Sequence, residues 1–487
     1  MSSLRNSTLS ALPSDVHVPG YDRSDVRVGI VHIGVGAFHR AHEALFVDRL
    51  LAAEPQWGIC GVGVRVEDAA TRDALVPQDG LYTLTTVNPA GAEEIRVVGS
   101  LVQYLHAPDG PEIVLEQLAD PAVRIVSLTI TEGGYGVDDA TGEFVPVDDA
   151  TRADMAGAAV PTSVFGFIAD ALQRRKDRGV PPFTVLSCDN VQHNGRIART
   201  ALLAVAQARN PGIAGWIADL VAFPNSMVDR ITPGTTEDVR RAVEDDHGIV
   251  DRWPVRAESY LQWVLEDNFP TGRPDWESAG VQLVTDVEPY ELMKLRLLNA
   301  SHQVMGYPAL LAGLTWVDEA SRDPQIVELM QRWMREARTT LSPVPGVDLD
   351  AYCATLIERF GSKAVRDTLA RQVVGSSDRL PKFVVPVLAS RVGSEPNPYG
   401  VFVLAAWSVW LADSIAGAGI TDSRKDQMFA AATREEAGEA AALLDVEVIF
   451  GAVGKDPQLR DAYWSTRTLI RAHGVRDALT TVLTSAV

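Results

Sequence analysis

Cysteine is scarce in this chain of 487 residues: Cys60, Cys188 and Cys353 are far apart and odd in number. Such a pattern does not indicate a disulfide framework or a cysteine-based zinc site, and it favours a reducing, cytoplasmic setting. Positive charge is also under-represented, because 44 Lys and Arg stand against 64 Asp and Glu, for a net charge of −20. This balance argues against nucleic acid or an anionic membrane surface as the partner.

Long hydrophobic runs are missing as well. The longest, residues 401–412, is broken by Ser408 and ends at Asp413, so it is too short to span a bilayer and predicts a buried helix. Residues 1–20 lack the basic start and apolar core of a signal peptide. Hydrophobic residues nevertheless make up 46% of the chain, which is enough to build two or more domains with sizeable cores.

A glycine turn follows the first predicted strand. Residues 26–33 form a β-branched run, Gly34 and Gly36 come next, and residues 41–52 have helical periodicity. Strand, glycine turn and helix form the context of a dinucleotide fingerprint, in which Gly36 lets the backbone approach a pyrophosphate at the helix N-terminus. His39 stands where the fingerprint has its third glycine, and a glycine pair alone also occurs in ordinary turns.

Acidic residues follow the second predicted strand, residues 57–64. A carboxylate at this point binds the adenosine ribose hydroxyls and selects NAD, and Glu67 and Asp68 are the candidates. Arg65 leaves the choice between NAD and NADP open, since a guanidinium there would also bind the 2′-phosphate of NADP. The acids are equally well explained as the start of a helix over residues 69–76.

Two further buried-strand runs, residues 123–130 and 183–188, end in polar residues. Ligands of open α/β sheets collect at the carboxyl ends of strands, so Glu132 and Asn190 are candidate site residues. Each is also explained as a turn residue or helix cap.

Near Asp286 the pattern changes from alternating strands and helices to helices alone. We therefore predict a dinucleotide-binding, Rossmann-like α/β domain over residues 1–286 and a mainly helical catalytic domain over residues 287–487. The predicted helices of the second part are residues 324–341, 349–360, 401–415, 434–450 and 459–473.

The helix that opens the second part carries a short, chemically mixed polar stripe. At about 100° per residue, Asn299 lies about 140° and His302 about 80° round the helix from Lys294, with Glu291 at about 60° between them. Lys294 predicts a general base if burial lowers its pKa from about 10.4. We expect this stripe to look across an interdomain cleft towards the cofactor, because small-molecule sites concentrate there.

The other polar side chains of this site have complementary chemistry. The carboxamides of Asn299 and Asn190 are donors for the reacting oxygen, His302 orients the substrate, and Glu291 passes the proton to solvent. Individually a lysine of this kind is usually solvated and a histidine on an apolar face is usually a core residue, so the prediction depends on the cluster. His39 and His42 have metal-ligand spacing on a helix, but no third ligand is apparent from the sequence. We therefore interpret both as structural or close to the cofactor phosphate, and we expect no metal.

These motifs resemble the polyol-specific long-chain dehydrogenase family, the group that contains mannitol 2-dehydrogenase and fructuronate reductase. The resemblance covers roughly residues 27–383 and is strongest at the lysine motif. It rests on Gly34-Val-Gly-Ala-Phe-His-Arg-Ala-His42, Thr129-Ile-Thr-Glu-Gly-Gly-Tyr135, Ser187-Cys-Asp-Asn190, His193-Asn-Gly195, Phe223-Pro-Asn-Ser-Met-Val-Asp-Arg-Ile-Thr-Pro233 and Lys294-Leu-Arg-Leu-Leu-Asn-Ala-Ser-His302.

The resemblance implies a Rossmann domain with a helical domain, no zinc, NAD as cofactor and a sugar alcohol or keto-uronate as substrate. It implies Lys294 as the base, with Asn190, Asn299 and His302 around the reacting oxygen, and it places Arg371 and Arg379 in a substrate-binding region where the match is looser. The predicted cofactor-binding residues are Gly34, Gly36, Phe38, His39, Arg40, Glu67, Asp68, Glu132, Val228 and Asp229.

Several functions compete. The first is an NAD-dependent, metal-independent polyol dehydrogenase that interconverts D-mannitol and D-fructose, or one acting on D-arabinitol. The second is reduction of a keto-uronate such as fructuronate, whose carboxylate would pair with Arg371, Arg379 or Lys382. The third is an NAD-binding regulatory protein without turnover, against which the complete Lys-Asn-His set argues. We expect a monomer or small homo-oligomer without a nucleic-acid or membrane partner.

Overall fold

The computed structural model describes residues 2–138, 141–363, 367–394, 396–415, 417 and 419–485. The chain divides into two compact units, Met1–Glu288 and Pro289–Val487. The strands all lie in the first unit. They are β1 Ser2–Ser3, β2 Val28–Ile33, β3 Gly58–Gly63, β4 Tyr82–Val87, β5 Glu93–Val98, β6 Leu101–His106, β7 Ile125–Leu128, β8 Thr184–Ser187, β9 Ser226–Asp229, β10 Ile249–Val250, β11 Val255–Glu258, β12 Gln262–Glu266 and β13 Gln282–Val284.

The first unit is organised around a five-stranded parallel sheet with the order β6-β3-β2-β7-β8. Counted along the chain within this sheet, the order is 3-2-1-4-5, which is the Rossmann arrangement. Smaller sheets, β11-β4-β5 and β13-β12-β9, and the pair β1-β10 complete the unit. The predicted Rossmann-like fold of this part is therefore confirmed.

Continuous apolar runs form the central strands because both faces of the sheet are buried. In β2, Ile30 and Val31 are both fully buried but belong to different hydrophobic clusters, one on each face. Ile125 and Val126 of β7 divide in the same way. The sheet therefore holds its strand ends rigidly, which is what a site on those ends requires.

Helices cover both faces of the sheet. Those of the first unit are α1 Ala37–Ala41, α2 Glu43–Asp48, α3 Ala69–Leu75, α4 Pro111–Ala119, α5 Asp149–Met155, α6 Val164–Asp177, α7 Asn194–Arg209, α8 Pro211–Leu220, α9 Glu237–His247 and α10 Trp276–Ala279. The predicted helix over residues 41–52 is wrong in its extent. The backbone leaves helical geometry at His42 (φ −122°, ψ −97°), so two short helices replace one.

The second unit is helical, and the residues described beyond Val284 contain no strand, only an isolated bridge between Trp316 and Thr368. Its helices, beginning with one that starts at the boundary, are α11 Glu288–Met293, α12 Ala300–Leu311, α13 Val317–Ala320, α14 Pro324–Arg338, α15 Leu349–Phe360, α16 Leu369–Gln372, α17 Ser376–Phe383, α18 Val385–Ala389, α19 Pro398–Ser414, α20 Lys425–Glu436, α21 Glu447–Phe450 and α22 Pro457–Ser485, kinked at Gly474.

The predicted helix over residues 434–450 is also wrong. Helix α20 ends at Glu436, Gly438 and Ala441 have positive φ, and a 3-10 turn over Ala442–Asp445 separates α20 from α21. The run 401–412 is a buried helix as predicted, within α19. Within the described residues, no helix combines the length and apolar character that crossing a membrane demands.

Candidate active site

The glycine turn lies between β2 and α1 in the first unit. Gly34 has φ +97°, and a Cβ atom built on it would lie 2.2 Å from the carbonyl oxygen of Thr129. Gly36 is exposed, donates its N–H to the carbonyl of Gly34 at 2.7 Å, and has no atom closer than 3.9 Å to a built Cβ. The fold therefore requires the first glycine, whereas the position of the second has room for a side-chain atom and faces solvent.

Arg40 braces this turn from inside. It is 1% exposed, its Nε donates to the carbonyl oxygen of Gly36 at 3.3 Å, and an Nη donates to the carbonyl of Trp253. Burial lowers the pKa of Arg40 to about 10. Phe38 is half-buried and stacks on His42 with ring centroids 4.9 Å apart. The Arg40 charge thus faces the protein interior, and its side chain supports the turn by donating to the backbone carbonyl of Gly36.

His39 is buried beneath the turn and stacks on His32, with centroids 3.4 Å apart and ring planes at 10°. Glu43 Oε2 lies 3.1 Å from His32 Nδ1 and 3.8 Å from His39 Nε2. Burial, followed by the charges of neighbouring groups, holds the pKa of His39 well below its usual 6.5, so its ring is neutral.

His39 and His42 have different partners. His42 turns its Nε2 to the carbonyl of Gln262 at 2.9 Å, whereas His39 meets His32 and Glu43, which the sequence did not suggest as partners. The potential metal-ligand atoms of His32, His39 and Glu43 lie within 4.8 Å of one another. Because the two rings are nearly parallel, however, their in-plane lone pairs do not converge on one ion in this conformation.

The acids after β3 have different surroundings. Asp68 Oδ2 accepts the backbone N–H of Arg65 at 2.9 Å, and its side chain is 20% exposed. Glu67 and Arg65 are 68% and 70% exposed and lie 3.6 Å apart. Asp68 is therefore the fixed carboxylate at the end of this strand, and both of its neighbours extend into solvent.

At the carboxyl ends of β7 and β8, Glu132 and Asn190 are exposed, as expected of ligand contacts. Between them Asp189 accepts the backbone N–H groups of Ile130 and Thr131 at 2.8 and 2.9 Å. Sequence reasoning gave Asp189 no function, although its position directly after a strand was a usable signal.

Val228 and Asp229 end strand β9 and are 3% and 5% exposed. The Val228 side chain belongs to the hydrophobic core on one face of the sheet. It is thus a core residue, and any cofactor contact from it would come through its backbone.

In the second unit, the Lys294 helix is continuous but not regular. Between α11 and α12, residues Lys294–Asn299 form a π-helix. Hydrogen bonds of a π-helix join residues five apart, so Asn299 comes nearer to the side of Lys294 than the predicted 140°. Sequence alone did not reveal this widened turn, which occurs frequently at functional sites.

Several polar groups of this segment are buried. Lys294 and Glu291 are 7% and 5% exposed. Among the described residues, no hydrogen-bond partner is found for Asn299 Oδ1 or His302 Nδ1, both of which are buried. Buried polar atoms of this kind usually have a partner, so these two are suited to hydroxyl groups of a ligand.

His302 is an uncharged imidazole over the working range of most enzymes. Burial, then the positive charge of Arg379, lowers its pKa to about 4. Its ring meets Phe360 edge-on at 4.8 Å. A neutral ring donates through one nitrogen and accepts through the other, which is suited to orienting a sugar hydroxyl.

The two predicted substrate arginines differ. Arg371 is 68% exposed on its side chain and pairs with Asp367 through both Nε, at 2.7 Å, and Nη2. Arg379 is half-buried and donates Nη1 to the carbonyl of Gln372 at 2.6 Å. Arg379 is the stronger candidate for shaping the site, because its charge acts on His302.

Comparison with known proteins identifies both parts of the chain. The profile of the mannitol dehydrogenase Rossmann domain matches residues 28–278, and that of the mannitol dehydrogenase C-terminal domain matches residues 286–466. A mannitol 2-dehydrogenase of Phaeosphaeria nodorum is 45% identical over 84% of this chain and 73% of its own length. Mannitol dehydrogenase 2 of Saccharomyces cerevisiae is 42% identical over 94% of this chain and 92% of its own.

Solved structures agree in fold. The ternary complex of Pseudomonas fluorescens mannitol 2-dehydrogenase with NAD and D-mannitol has a TM-score of 0.86 and 42% identity, covering 99% of this chain and all of that one. A substrate-free D-sorbitol dehydrogenase has a TM-score of 0.90 and 37% identity, covering 98% of this chain and all of that one.

Proposed function

Because the chain belongs to the mannitol dehydrogenase family, we propose that it is an NAD-dependent dehydrogenase that oxidises D-mannitol at C2 to D-fructose and catalyses the reverse reaction. The observation that carries this proposal is the buried π-helical segment with Lys294, the free carboxamide oxygen of Asn299 and the free imidazole nitrogen of His302. The structural relative bound to NAD and D-mannitol supports the same assignment.

The residues of the first unit fit a dinucleotide. We propose that the exposed Gly36, where an added Cβ atom would meet nothing closer than 3.9 Å, lets the backbone approach the pyrophosphate. We propose Asp68, whose carboxylate is held by the Arg65 N–H, as the ribose-binding acid. Bound NAD supplies the acceptor for the hydride that leaves C2. Glu132, exposed at the end of β7, is a further contact.

We assign the proton chemistry to Lys294, Asn299, His302 and Glu291 of the second unit. Lys294 takes the hydroxyl proton as an uncharged amine, the form that burial favours. The NH₂ group of the Asn299 carboxamide donates to the reacting oxygen, its Oδ1 accepts from a substrate hydroxyl, and the neutral His302 orients the neighbouring hydroxyl. In the first unit we propose Asn190 as a further carboxamide donor. Glu291, one turn before Lys294 and equally buried, passes the proton on.

A keto-uronate substrate is not favoured, because the relatives that this chain resembles are mannitol dehydrogenases. In addition, Arg371, one of the three proposed partners of the carboxylate, is engaged by Asp367 through two nitrogens. D-Sorbitol and D-arabinitol are closer alternatives, and one of the structural relatives is a D-sorbitol dehydrogenase. Turnover of mannitol, sorbitol, arabinitol and mannonate on one preparation ranks them.

The decisive test is Lys294→Ala. Loss of a general base typically costs about 10²- to 10⁴-fold in turnover, so kcat for mannitol should fall at least 100-fold while NADH still binds. Lys455→Ala is the matched control, since this lysine of the same unit is 69% exposed and pairs with Glu447 at 3.0 Å. Unchanged turnover of Lys294→Ala would remove the base assignment. Wild-type enzyme that binds NADH but oxidises no polyol would favour the regulatory alternative.

We also propose that residues 1–286 serve cofactor binding and residues 287–487 carry catalysis. A cytoplasmic enzyme fits the three free thiols, two of which are buried. We propose a monomer or small homo-oligomer, which light scattering measures directly.

A further inference from the structure

Thr131, in the loop after β7, has an unusual backbone conformation. Its φ of 66° and ψ of 160° fall in a region that is almost restricted to glycine, and threonine is β-branched. The other described non-glycine residues with positive φ, Asp79, His193 and Ala441, have ψ of 28°, 41° and 35°. They are ordinary left-handed residues, so Thr131 is the strained one of this set.

The Asp189 carboxylate holds this loop. Oδ2 accepts from the N–H of Ile130 at 2.8 Å, and Oδ1 accepts from the N–H of Thr131 at 2.9 Å. The Tyr135 hydroxyl, at the far end of the same loop, donates to Oδ2 at 2.6 Å and contacts Ser187 Oγ at 2.6 Å. One side chain therefore fixes both ends of the segment from Thr131 to Tyr135.

This carboxylate also joins the ends of two neighbouring strands. Strands β7 and β8 are paired and parallel. The backbone carbonyl of Asp189 accepts from the Asn194 carboxamide at 3.0 Å, which anchors its own loop to the start of α7. Glu132 directly follows Thr131, and Asn190 directly follows Asp189. The two predicted ligand contacts of this edge thus depend on one acid for their placement.

We propose that Asp189 is a positioning residue: it keeps Thr131 in its strained conformation and thereby sets Glu132 and Asn190 for NAD and the reacting oxygen. This inference rests on the proposed dehydrogenase function. Strained backbone persists only where surrounding contacts over-determine it, and such strain clusters at functional sites.

The test compares Asp189→Asn, Thr131→Gly and the double variant. An asparagine keeps the shape but replaces one acceptor oxygen with an NH₂ donor, so one loop N–H loses its acceptor. Without that bond the loop relaxes, and kcat/KM for mannitol should fall at least tenfold. Glycine adopts the observed φ and ψ without strain, so adding Thr131→Gly should restore at least a third of the lost activity.

Asp154→Asn is the matched control for loss of a buried acid. Asp154 accepts from the Thr162 and Ser163 N–H groups and the Ser163 hydroxyl, at 3.1, 2.8 and 2.6 Å. It lies outside the site, so this variant should lower the melting temperature without changing the kcat/KM of the folded enzyme.

NADH affinity, read by fluorescence, should weaken in Asp189→Asn and recover in the double variant. Activity of Asp189→Asn within twofold of wild type, or a loss that Thr131→Gly does not reduce, would overturn the positioning role. The proposed function fails separately, if wild-type enzyme oxidises no polyol.

Discussion

Substitution by alanine should have different effects at the two glycines of the turn: Gly34→Ala should lower stability, and Gly36→Ala should weaken NADH binding. In Gly34→Ala the methyl group would lie 2.2 Å from the Thr129 carbonyl oxygen, and that backbone is fixed because the Thr129 N–H donates to Ile33 at 3.1 Å. A φ of +97° adds about 1–2 kcal/mol for an L-residue, and overpacking adds about 1–3 kcal/mol. We expect an unfolding free energy lower by about 3 kcal/mol.

Gly36→Ala should instead leave the fold intact. Its φ of −90° suits any residue, and the nearest atom to the new methyl group is the Gly34 carbonyl oxygen at 3.9 Å. The methyl group occupies the open space assigned to the pyrophosphate. Losing charge-assisted hydrogen bonds worth about 1.5–3 kcal/mol raises the NADH Kd about 10- to 150-fold.

Fluorescence titration with NADH and thermal unfolding of both variants separate these effects. Gly34→Ala should lose roughly 5–10 °C in Tm, because about 3 kcal/mol in a large domain corresponds to a shift of that size. Gly36→Ala should stay within about 2 °C of wild type. An NADH Kd within twofold of wild type in Gly36→Ala would refute the placement of the cofactor on this turn.

Three further predictions address the cofactor, the imidazole and metal dependence. Asp68→Ala should lower the kcat/KM ratio of NAD to NADP, and an unchanged ratio would transfer the assignment to Glu67. The pKa of His302 is about 4 in the folded protein and about 6.5 in the unfolded chain, so its contribution to stability falls as the pH drops from 6.5 towards 4. Arg379→Gln removes a positive charge that lowers this pKa and should therefore raise it, which a histidine NMR titration measures. Dialysis against a zinc chelator should leave turnover unchanged, and a loss reversed by zinc would show a metal requirement.

The sequence predicts four of the five strands of the parallel sheet, because these are buried on both faces, whereas the partly buried edge strand β6 is not predicted. The runs 26–33, 57–64, 123–130 and 183–188 contain β2, β3, β7 and β8, each trimmed at its ends where hydrogen bonding stops. The limits of helices are less predictable. The hydrophobic periodicity continues through His42 and through residues 437–446, but the backbone torsions there are not helical, and the periodicity of the sequence does not show this.

The candidate site was predictable in its residue types but not in its geometry. Lys294, Asn299 and His302 stood out as polar groups on an apolar helix, and all three are at least half-buried. Their angular relation differs from the prediction, because the prediction assumed a regular α-helix and residues Lys294–Asn299 form a π-helix. The ion pair of Arg371 with Asp367, four residues earlier, is a feature that the sequence analysis did not include.

The missing third glycine of the dinucleotide turn has a structural explanation in the buried histidine pair. That glycine normally permits close packing of helix on strand. Here α1 ends after five residues, and the ring of His39 fills the space against His32 of β2. His32 Nε2 lies 2.9 Å from the Thr129 hydroxyl, which donates to the Gly34 carbonyl at 2.6 Å. A chain of side-chain contacts therefore supports the turn, from His39 through His32 and Thr129 to the Gly34 carbonyl. A shorter residue at position 39 would remove the first of these contacts. Rossmann turns with glycine at this position do not depend on such contacts, because there the helix packs directly on the strand.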